Sequence, residues 1–361
     1  MTAPAAGGRR PDHRPPDHGR TDHRRTENRG PDPRIRSSEQ KKRPAPATGR
    51  ATGAGGRVVG TIPESLPGPV SAATLAAGSR TVLDQGAILA RIKSLPPAPI
   101  VLTRVLSIMD DATAGVRELV SAIELDPGVT ATVLKTCNSP VYGGTRQLAS
   151  LDEAAHRVGM RTIIQIVMMR EAQSILEGEQ SGYGFAAGDL WKHSMTVALA
   201  ARLLAQRVGF ANVSGLFTGG LLHDMGKLVL DVHLKTSYQE VRDRVDDGST
   251  FQEAEREVFG VEHAEIGARI AEHWAFPPSL VEMIRWHHQP DGSSDHLDAC
   301  CLVHLADALA HWLGVGLGRP GLAVRFESSS VRRFGLGPED LDRILIELVE
   351  KTQQTEQSLA A

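Results

Sequence analysis

After residue 80, apolar residues recur at intervals of three and four, and this periodicity is the strongest constraint on the fold. In the stretch IVLTRVLSIMDD, for example, Val101, Val105 and Ile108 share one face of a helix. No strand-like alternation of useful length occurs between residues 81 and 180. An aromatic content of 4% also suits closely packed helices of small residues better than a sheet built on aromatic side chains. The sequence therefore predicts an all-α protein.

The helical region divides into two predicted lobes. The first covers residues 81–180, and its helix signals include Pro127 as a stop and a capping box formed by Ser150 and Glu153. A Gly-rich break, SGYGFAAGD, precedes a second lobe at 187–314. Residues 315–361 are predicted as a polar loop and an amphipathic helix, PEDLDRILIELVEKTQQ, which could pack on this body or on a neighbour.

Residues 1–80 are predicted to form a disordered basic tail, because they are rich in Pro, Gly, Arg and Ala and poor in large apolar side chains. They carry fifteen Lys and Arg against seven Asp and Glu, a net charge of about +8, which leaves about −11 for the remainder. Three histidines recur at five-residue spacing in PDHRPPDHGRTDHRR. This tail could capture metal weakly, bind anionic polymers or lipids, or simply remain solvated.

The three cysteines, Cys137, Cys300 and Cys301, include no CxxC pair and predict buried thiols in a reducing compartment. The chain has no apolar run of about 18 residues, the length that would predict a membrane-spanning helix. Its N-terminus has no hydrophobic segment typical of a secretory signal. We therefore expect a cytoplasmic protein.

Several His and Asp residues interrupt apolar helical stripes in the second lobe. Taken singly, a histidine on an apolar face is most often a hydrogen-bonded core residue. Taken together, imidazoles and carboxylates from five helices are the ligand set of a divalent transition metal, although a satisfied polar network is the alternative. Gly219 and Gly220 beside His223 also predict a close backbone approach. The residues on these stripes are His193, His223, Asp224, His263, His287, His288 and Asp307.

Three motifs carry a family resemblance: WKHSMTVA (191–198), HDMGK (223–227) and HLADALA (304–310). They resemble the HD superfamily of metal-dependent phosphohydrolases. Further elements, including SLPPAP, IELDPGVTATVLKTCNSPVYG and SLDEAAHRVGM, occur in the order typical of the HDOD family, the HD-related output domains of bacterial signalling proteins. The resemblance extends over about residues 95–313.

The resemblance implies a two-lobed helical HDOD domain with an HD-like C-terminal lobe and one or two divalent ions, drawn from Mn, Fe, Co, Ni, Zn or Mg. It implies that Asp224 bridges the two ions, and that Lys227 holds a phosphate oxygen, so that both act in any catalysis. The implied ligands of the first ion are His193, His223, Asp224 and Asp307, and those of the second are His263, His287 and His288.

Two functions remain open from the sequence. The HDOD resemblance implies a regulatory module that binds signalling proteins or a ligand, possible metal binding then being structural. The HD motif implies instead a metal-dependent phosphohydrolase or phosphodiesterase acting on a nucleotide or cyclic nucleotide. The stretch HHQPDGSSD lacks the Gly-Tyr-Pro element of cyclic-dinucleotide phosphodiesterases, which argues against activity on cyclic di-GMP. Nucleic acid is expected to bind only weakly, through the tail, and no oligomeric state is predicted.

Overall fold

The structure, a computed structural model, describes residues 85–111, 113–142, 144, 146–315 and 328–360. Within these ranges the regular elements are α-helices and two short 3-10 turns, and the only β-type pairing is an isolated bridge between Gln180 and Phe185. The prediction of an all-α fold is therefore confirmed. The predicted tail at 1–80 lies outside the described residues.

The described residues form fifteen α-helices. The first six are α1 (Gln85–Lys93), α2 (Ile100–Asp110), α3 (Val116–Ile123), α4 (Pro127–Cys137), α5 (Leu151–Val158) and α6 (Met160–Leu176). The next seven are α7 (Asp189–Val208), α8 (Val213–Leu222), α9 (Lys227–Asp246), α10 (Phe251–Phe259), α11 (His263–His273), α12 (Pro278–Trp286) and α13 (Leu297–Trp312). Two more, α14 (Ser328–Arg333) and α15 (Pro338–Ala360), end the described chain.

Local signals explain where two of the early helices begin. Pro127 separates α3 from α4 but is itself the first residue of α4, where its missing N–H costs nothing. The Asp126 carboxylate caps this helix by accepting from the N–H of Gly128 at 2.7 Å. Ser150 caps α5 as predicted, since its Oγ accepts from the Glu153 N–H at 3.2 Å. The Glu153 carboxylate, however, accepts from the Ala149 N–H, so only half of the predicted capping box forms.

The centre of the fold is α7, which packs against α8, α13 and α15. Helix α6 packs against both α7 and α8, so the apolar cores of the two predicted lobes are continuous. The C-terminal helix packs on its own body, with Ile344 and Leu348 buried. All three cysteines are buried free thiols, as predicted. Among the described helices, none has the length and apolar character that crossing a bilayer requires.

Candidate metal centre

The seven predicted ligand residues converge in one place, although they come from five separate parts of the chain. His193 lies on α7 and Asp307 on α13, while His263 begins α11. His287 and His288 follow the end of α12. His223 and Asp224 lie in the turn between α8 and α9, so LLHDMGKLVL is not one continuous helix. The helical spacing thus predicted the burial of Asp224 correctly but placed it in the wrong local structure.

One cluster is built around Asp224 Oδ2 and Asp307 Oδ1. His193 Nε2 lies 3.1 Å from Asp307 Oδ1 and 3.5 Å from Asp224 Oδ2. His223 Nε2 lies 3.4 Å from Asp224 Oδ2 and 3.7 Å from Asp307 Oδ1. Two imidazole nitrogens and two carboxylate oxygens therefore face a common point, in the combination that the family resemblance implied for a first ion.

A second cluster lies on the other side of the same carboxylate. Asp224 Oδ1 is 3.3 Å from His263 Nε2 and 3.9 Å from His287 Nε2. His263 Nε2 is also 2.9 Å from His288 Nε2. The two oxygens of Asp224 thus face different histidine groups, as a bridging carboxylate requires.

Backbone carbonyls fix the orientation of three of the rings. The Nδ1 atoms of His193, His223 and His287 lie within hydrogen-bond distance of the carbonyls of Val315, Gly220 and Ile284, at 3.1, 2.8 and 2.7 Å. When Nδ1–H donates to the carbonyl, the lone pair lies on Nε2 and points into the centre. This is the usual arrangement for a metal-ligating histidine.

The fit of these residues to a cation rests on buried atoms without partners. Five atoms of the centre are buried and have no partner in hydrogen-bond geometry: Nε2 of His193, His223 and His287, and Oδ1 of Asp224 and Asp307. An unsatisfied buried polar atom costs about 1–3 kcal/mol, and more when it is charged. One or two divalent cations would satisfy all five, so the residues present fit such ions.

The electrostatics favour the protonation states of metal ligands. Burial by itself would raise the pKa of Asp224, but His223, Lys227 and His263 hold it well below its ordinary value. Burial acts in the same direction on Asp307, and His311, His193 and His223 outweigh it. For His193 and His287, burial lowers the pKa. The ionised Asp224 and Asp307 therefore lie beside neutral imidazoles at His193 and His287, the forms that bind metal, whereas His263 must lose a proton to bind an ion.

Sequence reasoning missed Glu255, which holds His263 in place. This fully buried residue of α10 accepts through Oε2 from the His263 N–H at 2.9 Å, with His263 Nδ1 at 2.6 Å. Its Oε1 accepts from the Tyr183 hydroxyl at 2.6 Å. Burial alone would lower the pKa of His263, but the carboxylates of Glu255 and Asp224 raise it to about 9. The signal was present, since Glu255 lies four residues from both Phe251 and Phe259 on one stripe.

His311 is a second residue that the sequence reasoning passed over. It lies one turn after Asp307 on α13, and its Nδ1 is 3.0 Å from Asp307 Oδ1 and 2.9 Å from the Asp307 carbonyl. It therefore orients Asp307 toward His193. The spacing of four residues in DALAH was the available signal.

Lys227 is a buried lysine of the site. Its Nζ binds Asp224 Oδ2 at 2.6 Å and lies 5.6 Å from the ring centres of both Tyr183 and Phe185. Asp231 holds the segment that carries these rings, because its Oδ1 accepts from the Gly182 N–H at 2.7 Å and from the Tyr183 N–H at 3.3 Å. The aromatic rings thus cover the predicted phosphate-binding lysine.

Close backbone contacts bring the ligands together. A Cβ on Gly220 would lie 3.1 Å from the Ala198 Cα of α7, so the predicted close approach is confirmed there. Gly219 instead faces the side chain of Met283. At Gly226, a Cβ would lie only 1.9 Å from the His263 carbonyl oxygen. This contact sets the turn that carries Asp224 directly against the start of α11.

Three comparisons relate the chain to known proteins. A crystal structure of an HDOD domain protein of unknown function from Geobacter sulfurreducens superposes with a TM-score of 0.60 at 25% identity, covering 76% of this chain and 98% of that chain. A structure from Marinobacter aquaeolei, provisionally named a signal transduction protein, shares the fold with a TM-score of 0.62 at 20% identity, covering 78% and 68%. Ribonuclease Y of Geobacter sulfurreducens is 26% identical over 233 residues, which are 64% of this chain and 36% of that protein.

The curated relatives are longer proteins, and the chain spans less than two fifths of the length of those that it matches first. The family model gives a firmer assignment, because the HDOD domain model matches residues 95–290, more than half of the chain. This range includes six of the seven predicted ligands, and Asp307 follows it. The chain therefore belongs to the HDOD family.

Proposed function

We propose that this chain is a regulatory module of a bacterial signalling system, in which the HD-like helices bind one or two divalent cations and the module acts by binding a protein or a ligand. The observation that carries the proposal is that five buried imidazole and carboxylate atoms without a partner in hydrogen-bond geometry lie in two adjoining clusters that share Asp224. The name of the Marinobacter structure supports a signalling role.

The enclosure of the centre favours a regulatory role over turnover. His193, His223 and His287 show no exposed surface, and Asp224 and Asp307 are 1% exposed. Lys227, which a phosphodiester substrate would need, is already bound to Asp224 and covered by two aromatic rings. A substrate phosphate could contact Lys227 only by breaking its bond to Asp224, and an approach from the side of the two rings would also displace the 181–185 segment.

In the regulatory role, the cations would have a structural effect. His193, His223, Asp224 and Asp307 would hold the first, and His263, His287 and His288 would join Asp224 around the second. Binding would connect α7, α11 and α13 with the ends of α8 and α12. These elements would then move as one body, which a signalling module needs if a contact at one surface is to be felt at another.

The complete ligand set beside Lys227 favours a second candidate, a metal-dependent phosphodiesterase, and the similarity to ribonuclease Y agrees with it. A bound divalent cation would supply Lewis-acid chemistry toward a phosphate ester. Lys227 would hold a phosphate oxygen once its bond to Asp224 opened, and Glu255 would keep His263 oriented. In this case the Tyr183 and Phe185 rings would act as a cover that opens for substrate.

Metal content tests the proposal directly. We expect purified full-length protein to contain about one or two equivalents of a first-row transition metal by inductively coupled plasma mass spectrometry. His223→Ala and Asp224→Ala should each remove most of it, because both residues face the centre. The control, His156→Ala, changes an exposed histidine on α5 and should leave the content unchanged. A metal content that both ligand variants leave unchanged would contradict the ligand assignment.

A hydrolysis assay separates the two functions. With bis(p-nitrophenyl) phosphate and added Mn²⁺, the regulatory proposal predicts no turnover above that of the Asp224→Ala variant. Turnover that Asp224→Ala and Lys227→Ala both abolish would establish the phosphodiesterase instead.

A further inference from the structure

A cavity of about 270 Å³ lies between the HDOD helices and the C-terminal helix, away from the candidate metal centre. Its apolar floor is formed by Met169 of α6, Leu199 of α7 and Phe217 of α8, all buried. Arg202 of α7 and Lys351 of α15 line it with positive charge. The cavity shares none of its lining residues with the seven metal ligands.

Both cations in this cavity are left without a carboxylate partner. Nη1 of the half-buried Arg202 donates to Gln165 Oε1 at 3.0 Å, which is a neutral partner. The ion pairs between α7 and α15 use other residues, Lys192 with Glu356 at 2.8 Å and Arg207 with Asp340 at 2.5 Å. Among the described residues, neither Arg202 nor Lys351 has a carboxylate oxygen within 4 Å. Burial lowers the pKa of Arg202, and Tyr142 and Glu347 only partly oppose this effect.

A partly desolvated guanidinium with unused donors is a recognition group for phosphate, because its planar fork matches two phosphate oxygens. A second cation on the facing helix suits a doubly charged group. The apolar floor suits an apolar or planar body, and the half-buried Tyr142 adds a ring to the wall. The volume of about 270 Å³ lies just below the range of about 300–1,000 Å³ typical of ligand pockets, so the ligand cannot greatly exceed a mononucleotide.

We propose that this cavity binds a small organic phosphate, with the phosphate group between Arg202 and Lys351 and the apolar body against Met169, Leu199 and Phe217. Residues of α15 form one wall, and residues of α4, α6, α7, α8 and the 3-10 turn Pro140–Tyr142 form the rest. A bound ligand therefore stabilises the docking of α15 on the body. The binding site does not depend on the proposed function. Only the idea that ligand binding is the input of a regulatory module rests on that function.

Isothermal titration of the full-length chain with the four common 5′-ribonucleoside monophosphates tests the site, with the matching nucleosides as uncharged controls. We expect at least one monophosphate to bind with a stoichiometry of one and its nucleoside to bind at least about tenfold more weakly. Arg202→Gln and Lys351→Gln should each weaken binding at least about tenfold. Arg104→Gln, which makes the same charge change on an exposed residue of α2, should leave it unchanged.

Lys351→Gln is the decisive variant, because Lys351 lies on the surface of α15 and its loss leaves no buried group unpaired. Hydrogen exchange gives an independent readout: the monophosphate should slow exchange in α15 of the parent protein and not in Lys351→Gln. Binding should also persist in EDTA, whereas binding at the metal centre would be lost. The proposal is overturned if no monophosphate binds, if both glutamine variants bind like the parent, or if EDTA abolishes binding.

Discussion

Asp224 concentrates the electrostatics of the centre on one side chain. Its Oδ2 meets Lys227 at 2.6 Å and also faces His193 and His223, while Oδ1 faces His263 and His287. Burying this carboxylate without partners would cost several kcal/mol. Lys227 offsets part of that cost at Oδ2, but Oδ1 has no hydrogen-bond partner. A cation between Oδ1, His263 and His287 would therefore offset the part of the burial cost that Lys227 leaves uncompensated.

At the residue scale, Glu255 supplies a prediction about the second cluster. Glu255→Gln removes the charge that holds His263 Nδ1 while keeping the size of the side chain. Because such an orienting carboxylate typically contributes 10–100-fold to metal affinity, we expect a loss of about that size for the ion near His263. Metal titration monitored by isothermal calorimetry would measure it.

The matched comparison is Tyr183→Phe, which removes only the hydroxyl that donates to Glu255 Oε1. It should weaken the same ion by a smaller factor, because the bonds from Glu255 to His263 remain. Equal affinity in Glu255→Gln and the parent protein would show that Glu255 does not position His263 for metal.

The sequence predicted the residues that converge on the centre better than it predicted the residues that orient them. His193, His263 and Asp307 were found because a polar residue on an apolar stripe is conspicuous, and a carboxylate there requires a partner. Glu255 and His311 also face inward, but their role is visible only through His263 and Asp307. The contact between Glu255 and His263 depends on how α10 packs against α11. Hydrophobic periodicity does not predict this tertiary contact.

At the scale of elements, Asp231 connects α9 to the aromatic cover of Lys227. Asp231→Ala would leave the buried N–H groups of Gly182 and Tyr183 without their acceptor, so we expect a loss of about 1–3 kcal/mol in the free energy of unfolding. Urea denaturation followed by circular dichroism measures this loss. Amide exchange at residues 182–185 should also increase.

Two variants control for this effect. Asp231→Asn keeps an acceptor oxygen and should recover most of the stability. Asp246→Ala removes another carboxylate of α9, but one that is largely exposed and pairs only with Arg242, so it should cost less than about 0.5 kcal/mol. If Asp231→Ala resembled Asp246→Ala, the 181–185 segment would not depend on this anchor.

The contact between Gly226 and the start of α11 is the second element-scale test. Gly226→Ala would drive a methyl group into the His263 carbonyl, so the two backbones must separate. We expect a loss of stability of about 1–3 kcal/mol or more, accompanied by loss of bound metal because Asp224 and His263 move apart. Gly178→Ala is the control, since its Cβ would meet nothing closer than 3.7 Å. Unchanged metal content in Gly226→Ala would show that this contact does not set the ligand spacing.

Periodicity predicted most helices but could not resolve the break inside LLHDMGKLVL. Phe217, Leu221, Asp224 and Leu228 fall on one face of a continuous helix, and nothing but Gly226 suggests an interruption. The turn at residues 223–226 forms because the Gly226 backbone packs against α11. Long-range packing therefore overrides local spacing at the very residues that carry the site.

For the whole molecule, the convergence of five chain segments on one point followed from family resemblance more than from the pattern of residues. Each stripe predicts that its His or Asp faces inward, but not that all face the same interior point. The cavity beneath α15 was not predicted, because the final helix could have packed on this body or on a neighbour. The docking of α15 on α7 creates an interface between the HDOD helices and the C-terminal helix. The sequence does not predict this interface.

Without metal, the whole molecule should be less stable. If the cations join five segments, removing them leaves the buried ligand atoms without partners and lowers the free energy of unfolding. Added metal at about a hundred times its dissociation constant should restore about 2.7 kcal/mol of that free energy. For a domain of this size each kcal/mol corresponds to about 2–4 °C, so chelation should lower the melting temperature by roughly 5–10 °C. Calorimetry of EDTA-treated protein, with and without Mn²⁺ or Zn²⁺, measures the shift. The Asp224→Ala variant should melt at one temperature under all of these conditions, because it has lost the carboxylate that both clusters share. Equal melting temperatures of the chelated and the metal-loaded parent protein would contradict the structural role proposed for the cations. The buried histidines and aspartates would then be a polar network that is stable by itself.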